Sequence, residues 1–187
     1  MRRRKTGKLG AVILVDLTTA IVTVVELTVL GLQQRGGPSG SLSTVGHRAL
    51  DIVLHTMSGE SITLYQLLAQ GKPVLVYFYA TWCPVCDDDI RNLAAAEDGF
   101  SYRVSVVLVG VDVTETDAEV RRFAERHGRD GWLVAKPNRE MITALNIVTQ
   151  ATKLTFSIDG ELVFRQGYGR MGVDGWKSIL SNIVEKS

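Results

Sequence analysis

The chain has 187 residues, enough for one ordinary domain with an appendage and too few for two enzyme-sized domains. With 45% hydrophobic and 22% charged residues it can bury a sizeable core, which excludes a disordered chain. The net charge of +1 hides a division: Arg2, Arg3, Arg4, Lys5 and Lys8 crowd the start and leave the remainder mildly acidic, which excludes a basic nucleic-acid-binding face.

Residues 1–35 are predicted as a basic segment followed by a transmembrane anchor. Residues 9–32 contain no Lys, Arg or Pro, and a helix of that length, at about 1.5 Å per residue, reaches across a bilayer. Asp16 and Glu26 interrupt the run. An acid at the centre of a span costs about 3 kcal/mol, but neither sits at the midpoint, so the Leu, Ile and Val residues leave a narrow balance in favour of insertion. A cleaved signal peptide, or a helix whose acids find polar partners, are the alternatives. Positive charge ahead of the span predicts a single-pass protein of the cell membrane with a cytoplasmic N-terminus and an extracytoplasmic domain. Residues 36–46, opening on Gly36-Gly37-Pro38-Ser39-Gly40-Ser41, are predicted as a flexible linker, and 47–187 as the folded domain.

Inside that domain the pattern alternates. Segments 51–55 and 61–64 flank Ser58-Gly59 as a small hairpin, and 64–70 is a short helix ended by Gly71. Residues 74–79 form a continuous apolar run, as in a strand covered on both faces. A helix is predicted from Pro84 to about Glu97, a second buried strand over 104–111, and helices over 117–127 and 139–145. Strands at 153–158 and 161–165 surround the turn Asp159-Gly160, and 176–184 closes as an amphipathic helix. Strands alternating with helices, then a hairpin and a helix, predict a three-layer α/β domain with a central mixed sheet and an N-terminal hairpin extension.

Trp82-Cys83-Pro84-Val85-Cys86 falls where the first buried strand hands over to a helix, and it contains both cysteines of the chain. A helix N-terminus offers free backbone N–H groups and the positive end of the dipole, which favour a thiolate on Cys83. Pro84 suits the first helical turn, where its missing N–H costs nothing. The spacing brings the sulfurs within disulfide reach, with Cys83 exposed as nucleophile and Cys86, deeper, as the resolving thiol. Half a zinc site or an inert disulfide are the other readings. His47, His55 and His127 lack ligand spacing, so no metal is assigned.

The stretch from Gly71-Lys72-Pro73 through Val74–Tyr79 and Ala80-Thr81-Trp82-Cys83-Pro84-Val85-Cys86 resembles the signature of the thioredoxin superfamily. Over roughly 50–185 it is most similar to the membrane-anchored, extracytoplasmic TlpA/ResA-like branch. The resemblance implies a thioredoxin fold and a thiol–disulfide oxidoreductase with no cofactor beyond its redox-active disulfide. It further implies protein disulfide or dithiol substrates, apocytochrome c among them, and a membrane electron donor. Trp82, Pro84 and the loop at Ala151 and Thr152 are the implied docking residues.

Three features depart from that pattern. Ala151 stands where the family has a cis-proline, and a cis bond without proline costs about 3 kcal/mol. Tyr77 replaces a buried acid, for which Asp89, three residues after Cys86, is the candidate substitute as acceptor of the Cys86 proton. Asp87-Asp88-Asp89 puts up to three negative charges beside Cys83, which would oppose its thiolate and favour a reducing pair. Tyr79 is assigned to the core, and His127 to the last turn of its helix.

A peroxidase reading meets Ala80 where such relatives need Thr three residues before the reactive cysteine. A copper or haem-assembly chaperone, or an inactive thioredoxin-like binding module, is the alternative from another class.

Overall fold

The structure, a computed structural model, describes residues 48–100 and 102–185. The predicted anchor, 1–35, and linker, 36–46, lie outside the described residues, among which no helix is long and apolar enough to cross a membrane.

After a helical turn at 48–50, strands β1 (Leu54–His55) and β2 (Ser61–Ile62) pair antiparallel as the expected hairpin. Helix α1 (Leu64–Leu68) follows at once, because Thr63 caps it: its hydroxyl accepts the Gln66 N–H while the Gln66 side chain accepts the Thr63 N–H. That reciprocal cap takes Leu64 out of the strand to which the sequence pattern assigned it.

The central sheet has five strands: β3 (Val74–Tyr79), β4 (Ser105–Gly110), β5 (Leu133–Ala135), β6 (Thr152–Phe156) and β7 (Leu162–Gln166), in the order β5-β4-β3-β6-β7. β3 runs parallel to β4, and β4 to β5, while β6 is antiparallel to both β3 and β7. The sheet is therefore mixed, as predicted. Helices α2 (Pro84–Glu97), α3 (Asp117–His127), α4 (Arg139–Ala144) and α5 (Val173–Glu185) complete the chain.

β3 is buried throughout, and its alternation divides the core in two. Leu75, Tyr77 and Tyr79 pack with Ile90 and Leu93 of α2, Phe123 of α3 and Trp176 and Leu180 of α5. Val74, Val76 and Phe78 pack with Leu64, Leu67 and Leu68 of α1 and Met141 beyond β5. This makes three layers, helices on each face of the sheet.

Three elements differ from the sequence reading. β5 was not predicted, since three residues between Gly131 and Pro137 are too few to show a period. It pairs with β4, and the hairpin closes over it through a Thr56–Ala135 bridge, a Met57 N–H bond to Val134 and a Lys136 N–H bond to His55. α5 begins three residues early because Gly175 lies within it. A Cβ there would meet Met171 Cγ at 2.7 Å, so a helix-weakening residue is kept for close approach. The β6–β7 turn is wider than two residues: Ser157 and Glu161 close it, after a register shift at Thr155/Phe156.

Candidate active site

β3 ends at Tyr79, and Ala80-Thr81-Trp82 carry the chain to α2. Cys83 is the N-cap, extended at φ −90° and ψ 106°, with Pro84 at the first helical position. Its Sγ accepts the Cys86 N–H at 3.1 Å. Cys83 and Cys86 form a disulfide with Cα atoms 5.3 Å apart.

Cys86 is fully buried, as expected, but Cys83 is only 2% exposed rather than open to solvent. The cap position turns its side chain inward, and both cysteines belong to the core group containing Ala80 and Ala151. What the surface offers here is Pro84 and Trp82, the latter 60% exposed. Trp82 is tied to the loop after β4. Its indole Nε1–H donates to Asp112 Oδ2 at 2.9 Å, while the Thr81 N–H donates to Glu115 Oε1 at 2.5 Å. Hydrogen bonds from Thr114, then Trp82, hold the Asp112 carboxyl below its ordinary range, and burial raises that of Glu115. Neither acid was singled out from sequence. The signal was present, since both follow the carboxyl end of a parallel strand beside the switch in strand direction.

On the other side of the disulfide, no peptide bond among the described residues is cis, so Gln150–Ala151 is trans. Ala151 instead adopts φ +54°, a left-handed conformation that costs a non-glycine residue about 1–2 kcal/mol. Ala151 and Thr152 are both buried, and the Thr152 hydroxyl donates to Thr149 O at 2.7 Å. Neither residue presents exposed surface to a substrate in this disulfide form.

The three aspartates are not free negative charges. Asp87 Oδ1 lies 2.7 Å from Nε2 of buried His127, which reaches across from α3. Burial lowers the affinity of that imidazole for a proton, and Asp87 opposes the effect in part. Asp88 pairs with Arg91 and, at 2.8 Å, with Arg170. Asp89 is wholly buried and pairs with Lys153 at 2.7 Å, itself wholly buried on β6. Tyr77 OH donates to Asp89 Oδ2, while the Met171 N–H and Trp176 Nε1–H donate to Oδ1. Tyr77 is therefore bonded to the acid named as substitute for the one it replaces, and burial, then Asp89, raise its phenol far above the ordinary value. Asp88 and Asp89 are paired with cations, which removes part of the repulsion the sequence predicts against a Cys83 thiolate, whereas a neutral His127 leaves the Asp87 charge in place. The partners lie far off in sequence, and this is why they were missed. Tyr79 lies in the core, stacked on Phe123 with its hydroxyl bonded to Ala135 O.

A sulfur at a helix N-terminus, bonded to a second sulfur one turn on, can exchange with an incoming thiol and, once the pair is reduced, with an incoming disulfide. Known proteins agree. The AhpC/TSA family model matches residues 45–166. The thiol-disulfide oxidoreductase ResA of Halalkalibacterium halodurans is 29% identical over 123 residues, covering 66% of this chain and 68% of that one. ResA of Bacillus subtilis is 27% identical over 118 residues, covering 63% and 64%. Among solved structures, a secreted Mycobacterium tuberculosis disulfide oxidoreductase homologous to E. coli DsbE superposes with a TM-score of 0.62. It is 18% identical, over 72% of this chain and 98% of that one. With its cysteine pair on the strand-to-helix turn of a thioredoxin fold, the chain belongs to the AhpC/TSA family and is a thiol–disulfide oxidoreductase.

Proposed function

We propose that the chain is an extracytoplasmic reductase of protein disulfides, held at the cell membrane by residues 1–35. Cys83 is the nucleophile and Cys86 the resolving thiol. The observation that carries this reading is the position of Cys83: at a helix N-cap, joined to a deeper Cys86 whose N–H it accepts. In the dithiol form, Cys83 thiolate attacks a substrate disulfide, forming a Cys83–substrate bond and releasing one substrate thiolate. Cys86, having lost its proton to solvent, attacks Cys83 Sγ. The second substrate sulfur leaves and takes up a proton, so two electrons pass to the substrate and the Cys83–Cys86 bond forms. Exposed Trp82 and Pro84 present the docking face.

The reducing direction rests on what does not stabilise the thiolate. Pro84 and Val85 have no side-chain donors, so Cys83 depends on the helix end alone. A strong oxidant owes its potential to a highly stabilised thiolate form, and that support is weak here. Basic residues ahead of an apolar run support the membrane placement. A membrane electron donor would regenerate the dithiol, and the disulfides of apocytochrome c are the client class suggested by resemblance. Ala80 stands where a peroxidase would need Thr.

The test is insulin-disulfide reduction by the full chain in detergent. The proposal expects turnover, its loss in Cys83→Ala, and a stalled mixed disulfide in Cys86→Ala that captures the client. A reduction potential near about −120 mV, that of a strong oxidant, would overturn the direction.

A further inference from the structure

Asp89 and Cys86 lie three residues apart on α2, and so on one face of the helix. Both are completely buried. A carboxylate has about four acceptor positions, and in Asp89 all are used: Lys153 Nζ and Tyr77 OH on Oδ2, Met171 N–H and Trp176 Nε1–H on Oδ1. Those donors come from β6, β3, the loop after β7, and α5. Lys153 also donates to Gly169 O and lies 5.7 Å from the ring centres of both Tyr77 and Trp176. It stands directly across from Tyr77 in the β3–β6 register. A lysine with no exposure persists only when paired and bonded, as this one is.

We infer that Lys153 is a positioning residue for the redox helix, which acts through Asp89 to set how readily Cys86 ionises and which withholds Asp89 from accepting the Cys86 proton. The inference rests on the oxidoreductase reading above. A lone buried carboxylate one turn from Cys86 would oppose a thiolate there, because charges interact strongly where water is excluded. The paired cation cancels that field. With its acceptor positions filled, Asp89 has no free lone pair to turn toward the Cys86 thiol, and the proton released as Cys86 attacks passes to solvent while the departing substrate thiolate regains one.

The remaining charged and titratable groups around the helix start, Tyr77 excepted, bond to groups other than Asp89. Asp87 is held by His127 of α3, and Asp88 by Arg91 of α2 and Arg170 of the loop after β7. Tyr77 of β3 is bonded to Asp89 itself. Asp112 and Glu115 after β4 bond to Trp82 and Thr81, and Tyr168 in the loop after β7 is exposed. Lys153 is thus the cation that answers Asp89.

The experiment titrates Cys86 in the full chain, in detergent, in a Cys83→Ser background, by the rate of iodoacetamide alkylation against pH. Lys153→Met should slow alkylation about tenfold near neutral pH, and adding Asp89→Asn should reverse most of that loss. A merely structural lysine would lose stability in both variants without this reversal. Equal rates in the parent and Lys153→Met, or no reversal on adding Asp89→Asn, overturn the inference. If Lys153→Met alone does not fold, the double variant with both cysteines intact decides. The inference expects the pH profile of mixed-disulfide breakdown to keep the single limb set by the Cys86 thiol. Loss of that limb, with breakdown about tenfold slower, assigns proton transfer to Asp89 and overturns it. Failure of the oxidoreductase reading would appear separately, as absence of insulin turnover in the unmodified chain.

Discussion

His127 shows how one residue couples stability to pH. Burial holds its imidazole below the ordinary value of 6.5, with Asp87 only partly opposing. As pH falls through about 6.5 the unfolded chain takes up a proton before the folded one does, so stability present above that pH is lost below it, until the folded imidazole also protonates. The urea midpoint should therefore fall between pH 7.5 and 5.5. His127→Gln, which keeps a donor for Asp87, should show a smaller fall. Glu97 and Glu115 act in the opposite sense, since burial raises both carboxyls and their ionisation weakens the fold as pH rises. The difference between parent and variant is therefore the readout. Sequence placed His127 in the last turn of α3 but could not show that its ring reaches Asp87, forty residues earlier. The same holds for Lys153 and Asp89, sixty-four residues apart. The clue lay in the strand itself: a lysine within Thr152-Lys153-Leu154-Thr155-Phe156 has no solvent to enter once both faces of the sheet are covered.

At the scale of elements, legibility followed length and period. β3, α2 and α3 stand nearly where their apolar patterns and caps put them, because each is long enough to repeat its period and has a marked end. β5 and the first turn of α5 were hidden for opposite reasons, one by brevity and the other by a glycine kept for packing. A second glycine governs the join of β4 to the layer beneath. A Cβ at Gly110 would meet Pro137 Cγ at 2.8 Å, Cδ at 2.9 Å and N at 3.0 Å, atoms of a rigid ring that cannot turn aside. Gly110→Ala should cost about 1–3 kcal/mol, read as a lower urea midpoint. It should also disturb β5, whose Ala135 carbonyl receives the Tyr79 hydroxyl.

For the whole molecule, the redox pair was legible because its chemistry is local: two sulfurs, a proline and a strand-to-helix turn within a few residues. The compensation around it is not local, since Asp87, Asp88 and Asp89 each draw a partner from another part of the fold, and no spacing rule reports that. The proposed tether is a property of the full chain and has its own test. The chain should remain with membranes through an alkaline wash, and removal of residues 1–35 should release it to the soluble fraction. Recovery of the full chain in the soluble fraction would refute the tether while leaving the redox chemistry intact.

The hairpin laid over β5 has a consequence for how the protein keeps company with itself. An open strand edge is a template for another copy, and by bridging Thr56 to Ala135 the chain spends that edge on its own N-terminal segment. On the opposite border β7 carries Arg165, whose guanidinium is tied to the carbonyls of Leu145 and Asn146. One border is sealed and the other carries a charge, so the sheet is guarded against growing into fibres while its cysteines exchange disulfides.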